Sequence, residues 1–90
     1  MVAKQKQVEA FILVETKAGK TLEVAARLKK VTGILSVYAV TGPYDIVVHA
    51  AAKDLKALAA TVVDRIGASP GVEHTLTCIV VANSGNPAAK

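Results

Sequence analysis

With 90 residues, the chain is long enough for one domain with its own core and short for two. Its formal net charge of +4 comes largely from the terminal segments, since residues 7–82 hold eight basic and seven acidic residues. Because no basic stripe interleaved with aromatic residues is present, direct nucleic-acid binding is not expected. No segment offers the ~20 apolar residues of a membrane span, and the N-terminus lacks a signal-peptide core. We therefore predict a soluble, cytoplasmic domain without membrane contact.

Cysteine and histidine usage gives no sign of a metal or cofactor. Cys78 is the single cysteine, so it cannot form a disulfide within the chain. His49 and His74 are the only histidines, and neither stands at a metal-like spacing from acidic residues. We predict no metal and no cofactor. The domain is predicted over residues 1–82, with a frayed segment over 1–6 and a disordered tail over 83–90.

The first half of the chain predicts a strand, a helix and a second strand. The β-rich sequence from Val8 to Thr16 indicates a strand, and residues 18–20 form a turn. Thr21 is the predicted N-cap of a helix that stops at Gly33, and Glu23 pairs with Arg27 on its polar side. Residues 34–42 predict the second strand. The apolar stripe of the helix comprises Leu22, Ala25, Leu28 and Val31, widened by Val24.

The second half repeats this alternation in the order strand, helix, strand. Thr41, Gly42 and Pro43 separate the second strand from a third over residues 43–51. Asp54 is the predicted N-cap of the second helix, which ends at Gly67 and Pro70. Residues 72–82 predict the fourth strand. The apolar stripe of this helix comprises Leu55, Leu58, Ala59, Val62 and Ile66.

The resulting order, βαββαβ, predicts an α+β fold of the ferredoxin-like type. Its sheet has four antiparallel strands and carries both helices on one face. A sheet with one face in water should alternate apolar and polar residues, yet these strands are apolar on both faces. In the first strand, Ala10 and Ile12 point one way while Phe11 and Leu13 point the other. We therefore predict a homodimer that packs sheet against sheet, a dimeric α+β barrel.

Asp45 is the most informative polar residue, since it stands at the start of an apolar strand. It has two possible roles: a turn carboxylate that accepts backbone N–H bonds, or an acceptor for the amino group of a small ligand. Thr75 and Thr77 share one face of the last strand. They are either ordinary strand-forming residues on a half-exposed face or hydroxyl groups that line a polar pocket. Nucleophile elbows, phosphate-binding glycine loops and paired catalytic carboxylates are not found in the sequence. Catalysis has no positive support.

Two motifs resemble those of the Lrp/AsnC effector-binding domain. Residues 40–45, Val-Thr-Gly-Pro-Tyr-Asp, are similar to its TG-x-(Y/F)-D turn, and residues 70–77, Pro-Gly-Val-Glu-His-Thr-Leu-Thr, match its PGV-x-x-T-x-T entry into the last strand. The segment that begins at Asp54 and Leu55 looks like the second helix of that domain. The resemblance runs from about Val8 to Ala82. Pro43 departs from the family, which often has a polar residue there, and it stiffens the turn.

The resemblance implies a ligand site and a mode of assembly. Small effectors, typically amino acids, would bind between dimers that associate into tetramers, octamers or larger rings. Asp45 would bind the ammonium group of the ligand, and backbone groups near Gly42 would meet its carboxylate. The helix-turn-helix domain of typical members has no room before residue 8, which implies a stand-alone form that joins mixed assemblies with full-length regulators. Carried over residue by residue, the effector site comprises Gly42, Tyr44, Asp45, Thr75 and Thr77.

Three functions follow from these observations. The first is a non-enzymatic, amino-acid-binding oligomer that modulates transcription or metabolism without contacting DNA itself. The alternative is a small dimeric α+β barrel enzyme, similar to monooxygenases or isomerases, with His49 or His74 as its base. The third is a purely architectural oligomer. The position of the pocket discriminates between them, because an enzyme requires an enclosed cavity within one subunit that a histidine reaches.

Overall fold

The computed structural model describes residues 7–82, so the predicted frayed segment and C-terminal tail lie outside the described residues. Each predicted element is present in the predicted order. The second helix changes from α-helical to π-helical geometry at Thr61, which the sequence did not predict. The elements are β1 (Val8–Thr16), α1 (Thr21–Leu28), β2 (Ile34–Ala39), β3 (Ile46–Ala52), α2 (Leu55–Ala60) with its π-helical continuation (Thr61–Gly67), and β4 (Val72–Ile79).

The four strands form one antiparallel sheet in the order β2-β3-β1-β4. The two strands that end up at the centre, β1 and β3, pair over seven residues from Val8↔Ala52 to Val14↔Ile46. Since β2 and β4 are edge strands, each pairs on one side only. The order and the antiparallel pairing confirm the predicted ferredoxin-like architecture.

The core lies between this sheet and the two helices. Alternate residues of the central strands face the helices, because side chains on a strand change face at every residue. Ile12 and Val48 show this burial, since each is 0% exposed. The helices contribute one apolar stripe each, as their 3.6-residue period requires. The fully or nearly fully buried side chains are Ala10, Ile12, Val14, Val24, Leu28, Ile46, Val48, Ala50, Leu58 and Ile66.

The opposite face of the sheet, here called the open face, is apolar at its centre and is covered by no described element. Phe11 is 41% exposed, Tyr38 57% and Leu76 47%. The register aligns Tyr38, Val47, Leu13 and Leu76 in one row across the four strands, and the charged residues lie nearer the two ends. Phe11 follows Leu13 on the same face of β1. The open face comprises Glu9, Phe11, Leu13, Glu15, Ser36, Tyr38, Val47, His49, Ala51, His74, Leu76 and Cys78.

Several predicted boundaries were wrong at the ends of the elements. Strand β2 ends at Ala39 and β3 begins at Ile46, so residues 40–45 form a longer loop around Pro43, which has no N–H for strand pairing. Strand β4 ends at Ile79 instead of residue 82. Helix α1 ends at Leu28, and turns follow it up to Gly33.

The caps and faces of the helices also differ in part from expectation. Thr21 is the first helical residue and makes no capping bond; its hydroxyl lies 2.8 Å from that of Thr16. Leu22 is 75% exposed and does not join the core. The predicted Asp54 cap is confirmed, since its Oδ1 accepts the N–H of Ala57 at 2.8 Å. The predicted pair is also present, with the Arg27 guanidinium 3.1 Å from the Glu23 carboxylate.

Candidate functional site

Backbone hydrogen bonds hold Asp45 in place at the end of the β2–β3 loop. Its N–H donates to the carbonyl oxygen of Val14 at 2.9 Å, and its carbonyl oxygen accepts the N–H of Val40 at 2.8 Å. The residue therefore bridges β1 on one side and the end of β2 on the other. A side chain on such a backbone is well positioned, because its Cα cannot move without breaking these two bonds.

The two carboxylate oxygens of Asp45 have different surroundings. Oδ2 accepts the backbone N–H of Thr16 at 2.8 Å and the Thr16 hydroxyl at 3.3 Å. The same hydroxyl meets that of Thr21, so the carboxylate also connects to the first residue of α1. Oδ1 accepts no hydrogen bond from any described protein donor. The half-buried carboxylate thus has one oxygen that holds the fold together and one that can accept a bond from a ligand.

The rest of the loop leaves space beside Asp45. Gly42 has φ +150°, and a Cβ added there would meet nothing within 4 Å. Backbone groups at such a position are accessible to a ligand, because no side chain shields them. Tyr44 is half-buried next to Asp45. The structure therefore places Gly42, Tyr44 and Asp45 together in one loop.

Thr75 and Thr77 lie elsewhere in the subunit. In β4 they pair with Val14 and Ile12 of β1, and they share the helix-facing side of the sheet with these buried partners. Asp45 reaches β1 from the β3 side, whereas both threonines reach it from the β4 side. Because β1 lies between β3 and β4, the two groups are two strand spacings apart, which is about 10 Å. The five predicted site residues therefore form two separate groups in one chain.

Two surface clefts lie on the helix side of the sheet. One, of about 240 Å³, runs between α2 and β4 and is apolar except for Thr77. The other, of about 320 Å³, lies between α1 and the end of the π-helical segment and includes Arg27. The Arg27 guanidinium is already bound to Ser69, Pro70 and Glu23. Among the described residues, neither cleft includes a histidine or Asp45.

Sequence reasoning missed two histidine–glutamate pairs on the open face. His49 Nε2 lies 2.8 Å from a Glu9 carboxylate oxygen, and His74 Nδ1 lies 3.0 Å from one of Glu15. The partners are 40 and 59 residues apart in sequence, so only the strand register could have indicated them. Within residues 7–82, no three His, Cys, Asp or Glu side chains gather in a way that could hold a metal ion. Neither described helix is long and apolar enough to span a membrane.

Comparison with known proteins gives a consistent family. The model of the Lrp/AsnC ligand binding domain matches residues 9–85. The HTH-type transcriptional regulator FL11 of Pyrococcus horikoshii is 50% identical over 72 residues, which are 80% of this chain and 47% of FL11. A homocitrate synthase of Saccharolobus islandicus is 36% identical over 77 residues, which are 84% of this chain and 16% of the enzyme. The chain thus spans about half the length of the FL11 regulator.

A solved structure supports the same assignment. The transcriptional regulator NMB0573 of Neisseria meningitidis, in complex with L-Met, superposes with a TM-score of 0.77 and 28% identity, over 88% of this chain and 53% of that one. The family match covers most of this chain, both sequence motifs lie within it, and the strand order agrees with the predicted fold. The chain therefore belongs to the Lrp/AsnC ligand-binding domain family.

Proposed function

We propose that this chain is an amino-acid-binding module of the Lrp/AsnC regulator type. The observation that carries the proposal is the Asp45 carboxylate, which is anchored through Oδ2 and open at Oδ1. A rigid, half-buried carboxylate beside an open glycine backbone suits the ammonium group of a small zwitterion. The relative NMB0573, crystallised with L-Met, supports an amino acid as the ligand class.

The ligand would lie across the β2–β3 loop. Its ammonium group donates to Oδ1 of Asp45, and its carboxylate approaches the backbone at Gly42, where no side chain stands in the way. Tyr44 borders the same loop. Thr75 and Thr77 lie on the other side of β1 from this loop, so in this proposal the threonines at the site come from a neighbouring subunit. Binding then depends on assembly, as a site between subunits requires.

Assembly begins with the open face. It exposes Phe11, Tyr38 and Leu76, and the register connects Tyr38 to Leu76 through Val47 and Leu13, so apolar side chains form a patch across the whole sheet. A second copy packed sheet against sheet covers this patch with a surface of the same kind, which is the self-complementarity of a two-fold dimer. Further association into tetramers, octamers or larger rings would create the sites between dimers.

We do not assign an enzymatic function to the chain. The enzyme alternative needs a histidine that reaches a cavity, whereas His49 and His74 both belong to the open face and the described clefts lie on the helix side. The homocitrate synthase match covers only 16% of that enzyme, so its catalysis is not carried over to this chain.

As a member of this family, the chain would modulate transcription or metabolism in response to its ligand. In this proposal, other chains of the assembly contact the DNA. Residues 7–82 have a charge balance of only +1, which gives little attraction for phosphates. FL11 is a helix-turn-helix regulator whose matched half is 50% identical to this chain. Mixed assemblies with full-length regulators of that kind would connect ligand binding here to DNA.

A thermal-shift screen of the common amino acids, combined with light scattering, tests the proposal. A ligand at 100 times its dissociation constant adds about 2.7 kcal/mol of apparent stability. Asp45→Asn keeps an oxygen acceptor for Thr16 but removes the charge, so the shift should shrink or vanish. Asp64→Asn is the matched control, because this exposed carboxylate lies outside the loop.

The screen has three decisive results. A shift with one class of amino acid that Asp45→Asn abolishes and Asp64→Asn preserves would support the binding site. A correctly assembled oligomer that responds to none of the amino acids would refute ligand binding and favour the architectural alternative. A shift that Asp45→Asn leaves unchanged would place the ligand elsewhere.

A further inference from the structure

The open face has an unusual charge composition. The four strands contain no lysine or arginine, so the basic residues of residues 7–82 all stand on helices and loops. The acidic residues of the open face are Glu9 and Glu15. Within residues 7–82, the cationic partners of these two carboxylates are histidines, His49 and His74. The net charge of this face therefore depends on whether the two histidines are protonated.

The two pairs lie at opposite ends of the apolar centre. The His49–Glu9 pair is the better shielded, with side chains 25% and 46% exposed. The His49 ring also stacks on Phe11, with ring centroids 4.6 Å apart and planes 10° from parallel. The His74–Glu15 pair is more open, with side chains 74% and 44% exposed. A second copy that covers Phe11 also covers the histidine ring stacked on it.

Few other ionisable groups face these histidines. Ser36 of β2 lies opposite His49 in the register, and Cys78 of β4 lies opposite Phe11. Exposed Glu73 precedes His74 at the register shift in β4. Asp45, near the same end of the sheet, directs its carboxylate at Thr16. Among the described residues, these neighbours offer no positive charge to replace a lost proton.

Protonation decides what a dimer interface would have to bury. A protonated histidine and a carboxylate form a pair with no net charge, whereas a neutral histidine leaves the carboxylate as an unpaired negative charge. Burial of an unpaired charge costs much more than burial of a hydrogen-bonded ion pair. Histidine is the side chain that ordinarily exchanges its proton between pH 5 and 8.

We propose that the two histidine–glutamate pairs make association of the open faces proton-dependent. This inference rests on the sheet-to-sheet assembly proposed above. The assembled state binds more protons than the separated subunits, so by linkage the association weakens as pH rises through the histidine range. The less exposed His49–Glu9 pair contributes the larger share. Because the ligand site lies between subunits, ligand affinity falls along with assembly.

The test is the dissociation constant of the oligomer from pH 5.5 to 8.5 at fixed ionic strength, measured by sedimentation velocity, with circular dichroism to monitor folding. One linked proton changes the constant by at most about tenfold per pH unit. We expect dissociation to increase at least tenfold across the range. Glu9→Gln combined with Glu15→Gln removes both carboxylates and should abolish the weakening at high pH. The profile should flatten or reverse, because a protonated histidine then has no carboxylate to pair with. Asp64→Asn, on the helix side, should leave the profile as it is.

The outcomes separate this inference from the assembly itself. A stable oligomer with the same dissociation constant at every pH would overturn proton control and leave assembly intact. A folded monomer at every pH and concentration would refute the sheet-to-sheet assembly. If the double glutamine variant keeps the full pH dependence, other groups are responsible and the inference is wrong. His49→Gln leaves Glu9 without a cationic partner, so this variant should associate weakly even at pH 5.5. Association as tight as that of the parent protein would contradict the inference.

Discussion

The backbone N–H of Thr16, at the end of β1, donates to the carboxylate of Asp45 at 2.8 Å, although the residues are 29 positions apart. Thr16 is only 7% exposed, so water does not easily replace this acceptor. The bond closes the end of the sheet where β1, β3 and α1 meet. Asp45, the residue proposed to bind the ligand, therefore also stabilises the fold. Its Oδ2 holds Thr16, and its Oδ1 is the proposed acceptor for the ligand.

Removal of this acceptor should destabilise the protein even without ligand. In Asp45→Ala the buried Thr16 N–H loses its partner, which costs about 1–3 kcal/mol. Asp45→Asn retains an oxygen at the same place and should lose much less. Urea unfolding at one fixed protein concentration measures both. Equal stability of Asp45→Ala and the parent protein would show that the Thr16 bond contributes nothing.

Gly71 is predicted to tolerate no side chain. Its φ is +92°, and a Cβ there would lie 2.8 Å from Cγ2 of Val24 on α1. Gly71→Ala therefore combines backbone strain of about 1–3 kcal/mol with a core clash. Gly19 has φ +79° with open space around it, so Gly19→Ala isolates the backbone cost. Thermal melts should rank Gly71→Ala clearly below Gly19→Ala, and equal values would rule out the Val24 contact as a constraint.

Two leucines on α2 should differ sharply. Leu58 is 1% exposed and Leu55 is 58% exposed, although they are one helical turn apart. Leu58→Ala opens a cavity in the core and should cost about 2–5 kcal/mol. Leu55→Ala should change the stability by less than about 1 kcal/mol. Different denaturant midpoints with unchanged m-values would establish the difference in stability. A large loss of stability in both variants would mean that the apolar cleft between α2 and β4 is covered in solution.

If the open faces pack against each other, a charge introduced on the open face should weaken the dimer. Leu76, opposite Leu13 in the register, should lie within the dimer interface. Leu76→Lys places an unpaired charge there and should shift the protein towards monomer while its far-UV spectrum stays the same. Leu22→Lys, at the 75% exposed position on α1, is the control and should leave the mass unchanged. An unaltered mass for Leu76→Lys at low concentration would refute the sheet-to-sheet mode.

Much of the fold follows from local patterns. The alternating burial of β1 and β3, the Asp54 cap and the Gly42–Pro43 punctuation all arise from residues close together in sequence, and they predicted the element order correctly. The ends of elements were less predictable, because a short apolar run continues past the point where its pairing partner stops. The predicted Thr21 cap was wrong for a different reason: its hydroxyl lies 2.8 Å from that of Thr16, the last residue of β1, and α1 has no side-chain cap.

The sequence by itself determined the βαββαβ order, the apolar nature of both sheet faces and the motifs at residues 40–45 and 70–77. Only the tertiary structure decided which residues meet across strands. It brought Glu9 to His49 and Glu15 to His74, anchored Asp45 to Thr16, and separated Asp45 from Thr75 by the width of β1. The physical reason is that side-chain periodicity is a local property, whereas strand register is fixed by the packing of the whole core.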